Sequence, residues 1–202
     1  RMRRMFGMLK TLLHETNENE FNKLFSRIEK YENISDNMEL EIANYLNKVS
    51  EGRLSSESKL EIRGMLREVT EIESIGDSCY NLARTINRKR SGGNDFTEKQ
   101  YEHIHQMMQL TDDALAQMIA VVEDEHHAVD VNKSFNIENE MNNYRAQLKN
   151  QNVVDVNNKE YDYQMGVHYM DLIGECEKLG DYVVNVVEAR TNVKEKKVGD
   201  NR

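Results

Sequence analysis

The stretch ESIGDSCYNLA, residues 73–83, laid over EKLGDYVVNVV, residues 177–187, decides how this chain of 202 residues folds. Glu73 falls on Glu177, Gly76 on Gly180, Asp77 on Asp181 and Asn81 on Asn185, all at a shift of 104, since 177 less 73 and 181 less 77 agree. The apolar positions follow, with Val69 over Ile173, Ile72 over Cys176 and Cys79 over Val183. Upstream, YENISDNM (31–38) lies over IENEMNNY (137–144) at a shift of 106, which sets Glu32 on Glu138 and Asp36 on Asn142. Two shifts this close, in the same order, describe a tandem duplication whose two-residue difference a loop absorbs.

Outside these motifs the apolar period is helical. Ile28, Tyr31, Ser35, Met38, Ile42, Tyr45 and Val49 recur three and four apart, which predicts a helix over about 20–49. Ile62, Met65, Val69, Ile72, Gly76 and Cys79 predict a second over about 56–88, ended by RKRSGGND. Further helices follow over about 97–123, 131–149 and 161–190, with EDEHHAVDVN and KNQNVVDVNN as turns. The Met and Tyr stripes on these helices read as core. Long helices with short connections pack antiparallel. The fold is therefore all-α, two tandem three-helix repeats over 1–90 and 91–190, followed by a charged tail, 191–202, that is expected to fray. Shifted back by about 105, the helix of 97–123 would begin about eight residues before Arg1, so the first helix reads as cut short.

There is no proline, the two cysteines Cys79 and Cys176 fall at apolar positions and read as buried thiols, and no apolar run approaches bilayer length. Unpaired thiols suit a reducing compartment. A formal net charge of −9 argues against a nucleic-acid binder, which needs a clustered Lys/Arg surface. Cations are the more natural guests.

Glu32 and Asp36, Glu73 and Asp77, and Glu177 and Asp181 each stand one helical turn apart, and like charges at that spacing oppose a helix by a few tenths of a kcal/mol. A bound cation would convert that repulsion into ligation, and carboxylates on facing helices are how bundles hold multinuclear centres. Gly76 and Gly180 each cost a helix up to about 1 kcal/mol, and the expected return is close approach of the neighbouring helix. Asn81 and Asn185 stand one turn further on, where their amides could bind a metal or hold its ligands. Solvated helix faces are the plain alternative.

At these residues the chain resembles PhoU-like proteins, whose duplicated three-helix repeats carry E(D)xxxD motifs on facing helices. The resemblance spans nearly the whole chain. It implies binding of divalent or ferric ions (iron, zinc, manganese or magnesium) and a regulatory role in phosphate uptake. By that resemblance Glu32, Asp36, Glu73, Asp77 and Asn81 belong to one site, and Glu138, Asn142, Glu177, Asp181 and Asn185 to the other. Asn142 departs from the acidic pattern, so the first site is expected to bind more tightly. PhoU-like domains also follow the membrane part of Na+/phosphate cotransporter-like proteins. The leading RMRR, typical of a cytosolic membrane flank, together with the shortened first helix, favours that origin over a stand-alone regulator. The implied partner is then the transporter part of the same chain or a phosphate transport complex, at the cytoplasmic face of the membrane. A homo-oligomer is compatible with this.

Two Glu-x-x-His pairs, Glu102/His105 and Glu123/His126, have the spacing used by di-iron bundles, but both sit on one helix where such sites draw pairs from different helices. No nucleophile motif or phosphate loop appears, and no enzyme is indicated. His14 and His168 have no placed partner and read as solvent-facing or structural.

Overall fold

The computed structural model describes residues 1–192 as six helices: α1 (Met2–His14), α2 (Glu18–Ser50), α3 (Ser56–Ser91), α4 (Glu98–Glu123), α5 (Asn132–Asn157) and α6 (Tyr163–Thr191). The expected tail from residue 193 on lies outside the described residues. Side-chain oxygens close the helix starts that the sequence marks. Asn17 accepts from the Glu20 N–H, Ser55 from Ser58 and Asp162 from Met165, and Thr97 and Gln100 form a reciprocal capping box.

α1, α2 and α3 form one repeat and α4, α5 and α6 the other. The most extensive helix contact joins α3 to α6, one from each repeat. A single apolar core runs through both, with Ile75, Cys79, Leu82, Leu115, Leu179 and Val183 among its buried members. Both thiols are free and buried, which pushes them up, Cys176 to about 12. They are packing residues.

The structure corrects two sequence readings and narrows a third. The segment KNQNVVDVNN, read as a loop, continues α5 to Asn157, and the turn is confined to 158–162, where Lys159 adopts a left-handed φ of 59°. It contains neither Gly nor Pro to stop a helix. His168, read as solvent-facing or structural, is buried, 6% exposed, and is structural. The apolar stripe of α2, read as core, leaves the core halfway: Met38, Ile42 and Val49 are exposed and Tyr45 is 67% exposed, and Met65 on α3 is exposed as well.

The duplicated repeat supplies the reason for the last. Leu148, the counterpart of Ile42 since 148 less 106 is 42, is 3% exposed. The amino-terminal turns of α4 lie there, with Gln106 bonded to the Tyr144 hydroxyl (3.1 Å) and His103 against Tyr144 and Tyr169. α1 has 13 residues where α4 has 26, and it does not reach the corresponding stretch of α2 and α3. The basic start is used within the fold: Arg3 pairs with Asp112 of α4 at 3.2 Å, and Arg4 lies over the Tyr31 ring.

Candidate metal centres

Antiparallel α2 and α3 bring the first set of motif carboxylates together. One oxygen each from Glu32, Asp36 and Asp77 lie within 4.8 Å of one another. Glu73, one helical turn before Asp77, completes the group, near enough to Asp77 and Asp36 for both to shift it. Burial, then the hydrogen bond and charge of Asp36 and of Asp77, raises Glu32 to about 7. Burial and the same two aspartates raise Glu73 to about 8. Four carboxyl groups this close cannot all be ionised without a cation, so at neutral pH the cluster retains protons. The Asp36 Oδ1 atom is buried without a hydrogen-bond partner.

α5 and α6 build the second set with different chemistry. Glu138 is 6% exposed and accepts a 2.5 Å hydrogen bond from the Asn142 amide. Burial, with the hydrogen bond and charge of Glu138, raises Asp181 to about 7. Glu177 is also raised, by burial and Asp181, against the opposing pull of Arg145. Arg145 Nε stands 3.9 Å from Glu177 Oε2. The sequence reading missed this cation, yet it was legible there: at the shift of 106 that pairs Asp36 with Asn142, Arg145 replaces Glu39. Two positions thus move the second site toward neutrality. The Asn142 Oδ1 atom, at the position equivalent to Asp36, is likewise buried without a partner.

The two motif asparagines point across the molecule. Asn81 donates to Glu175 Oε1 at 3.3 Å, and Asn185 donates to Glu71 Oε2 at 3.2 Å. Glu71 and Glu175 are themselves repeat equivalents, 175 less 71 being 104. The motif is therefore Glu-x-Glu-x-x-Gly-Asp-x-x-x-Asn in both halves, and its outer ends bond each repeat to the other. The first Glu was visible in the overlay, but only three-dimensional pairing shows its role.

The glycines differ. A Cβ on Gly180 would stand 2.9 Å from Met141 Sδ, so close approach holds there; on Gly76 the nearest atom is Ser35 Oγ at 3.5 Å, an ordinary contact. Ser35 and Met141 are equivalent, and the larger side chain fills the space that glycine opens.

All-oxygen donor sets of this kind suit hard cations, and partnerless buried oxygens at equivalent positions fit an ion that would supply the missing contact. The Glu-x-x-His pairs do not assemble. Glu102 and Glu123 are 21 residues apart on α4, about 30 Å at the helical rise, and His126 lies in the turn beyond. His105 instead faces His14 of α1. Among the described residues, no helix is long and apolar enough to cross a membrane.

Comparison with known proteins gives a consistent picture. The family model described as the PhoU domain matches twice, over residues 2–86 and 104–189. No curated protein matches the sequence. A crystal structure of the phosphate transport system regulatory protein PhoU from Streptococcus pneumoniae superposes with a TM-score of 0.67, covering 92% of this chain and 89% of that one. At 16% identity that likeness speaks to the fold.

Proposed function

The chain belongs to the PhoU domain family, and on that premise we propose that it is a regulatory, metal-binding module of phosphate transport, with one metal site per repeat (residues 1–90 and 91–190). The observation that carries the metal reading is the convergence of Glu32, Asp36 and Asp77, one oxygen from each lying within 4.8 Å of the others. Glu73 completes that site; Glu138, Asn142, Glu177 and Asp181 form the other, and Asn81 and Asn185 steady both by holding α3 against α6. A bound divalent or ferric ion would neutralise the carboxylates.

The residues themselves account for how occupancy could be transmitted. Each site joins the two arms of one hairpin, α2 to α3 or α5 to α6. An empty site holds its arms together with shared protons, and a filled one would release those protons and replace them with a stronger bridge. Cross-repeat bonds from the same motif carry any shift of α3 to α6. The proposed target is a membrane phosphate transporter, either the part of the same protein that precedes this domain, as in Na+/phosphate cotransporter-like proteins, or a separate transport complex. Arg3 and Arg4 have partners within the fold, so they give the attached arrangement no special support.

The test is labelled-phosphate uptake in cells that express the full-length protein with Asp36→Asn and Asp77→Asn. Uptake should lose its dependence on this protein while the folded protein persists. Uptake equal to that with the wild type would reject the metal-dependent regulator.

A further inference from the structure

We propose a second class of metal site, for a transition-metal ion of the zinc, nickel or cupric kind, held by His14 and His105 where α1 meets α4. The two imidazoles face each other with their Nε2 atoms 2.5 Å apart and ring centroids 4.8 Å apart. The chelating pair is drawn from two different helices, α1 and α4. Both side chains are exposed, so water can fill the remaining coordination positions.

The surroundings fix the pair. Arg90 donates to the carbonyl oxygens of Glu15 and Thr16 at 2.6 and 3.1 Å, which pins the chain directly after His14. The Tyr101 ring stands against His14 at 5.4 Å and His105 at 6.2 Å. Lys89 is bound to Asp95 at 2.5 Å and to the Tyr101 hydroxyl at 3.1 Å, and Asp95 offsets its charge. His14 is the last residue of α1, where the helix dipole presents its negative end.

Without metal, one imidazole donates its Nε2 hydrogen to the other. With metal, both Nε2 atoms become ligands and that hydrogen moves to Nδ1 of the same ring, so no proton need be released. Zinc–nitrogen bonds of about 2.0–2.1 Å at a tetrahedral angle place the nitrogens about 3.3 Å apart. Exposed side chains reach that separation by a shift of under about 1 Å. Imidazole favours this class of ion, whereas the carboxylate clusters favour harder ones, so the two kinds of site are chemically separable. An ion here would tie the first repeat to the second at the start of the chain.

The experiment uses metal-stripped protein in the Asp77→Asn, Asp181→Asn background, which weakens the acidic sites. One equivalent of cupric ion should give an electron paramagnetic resonance spectrum with nitrogen coupling, and zinc should raise the melting temperature. His14→Gln and His105→Gln should each weaken binding at least tenfold and abolish the zinc effect, while circular dichroism confirms that they fold. His126→Gln, His127→Gln should change neither readout. The proposal is overturned if the parent Asp77→Asn, Asp181→Asn protein binds neither ion, if adding His105→Gln to it leaves binding as before, or if the turn histidines prove responsible.

Discussion

At the scale of single residues, the first site is defined by carboxyl groups that would rather be neutral. Glu32 at about 7 and Glu73 at about 8 are raised above the ordinary value of 4.5, as Asp181 at about 7 is above 3.8. In this range the folded protein binds more protons than the unfolded chain, so stability falls as pH rises. Metal-free protein should therefore be most stable near or below pH 5 among these groups, and lose stability up to and beyond about pH 8, where Glu73 is half ionised. A melting series from pH 5 to 8 should show a decline of a few degrees, since about 1 kcal/mol corresponds to about 2–4 °C in a chain of this size. Asp77→Asn should flatten the decline, because it removes a charge that raises both Glu32 and Glu73. A rise in stability across that range would contradict the assignment. These acidic positions were legible as a one-turn spacing repeated in both halves. Arg145 was legible only by extending the overlay three residues beyond Asn142. Glu71 and Glu175 are ordinary exposed-type residues in sequence, and become distinctive only when paired with Asn185 and Asn81.

Among the elements, the repeat predicted helix identity well because apolar period and capping residues agree at nearly every boundary. The carboxy-terminal part of α5 escaped because asparagine-rich composition suggests a loop, while uninterrupted backbone hydrogen bonding needs only the absence of a breaker. The exposed half of the α2 stripe escaped for the opposite reason. Periodicity reports which face is apolar, and coverage of that face depends on the length of another helix. The glycines yield a sharper test. Gly76→Ala meets only ordinary contacts and gains up to about 1 kcal/mol of helix propensity. Gly180→Ala must displace Met141, which is fully buried, and overpacking of this kind costs about 1–3 kcal/mol. Thermal unfolding should place Gly76→Ala at or above the wild type and Gly180→Ala below it. The reverse order would show that the close helix approach lies in the first repeat.

For the whole molecule, duplication yields two hairpins with related sites of unequal charge, joined through α3 and α6 into one core. The first cluster has four carboxyl groups. The second has three, a neutral Asn142 and the nearby guanidinium of Arg145. Fewer anions and a resident cation both weaken the attraction for a multivalent ion. The most direct measurement is calorimetric titration of stripped protein with ferric, manganous or magnesium ions, for which the two-histidine site is not proposed, with metal content determined after dialysis. The account predicts two phases, the tighter abolished by Asp77→Asn, the looser by Asp181→Asn, and the looser strengthened by Arg145→Ala. Absence of binding, or a tighter phase that survives Asp77→Asn and disappears with Asp181→Asn, would contradict it.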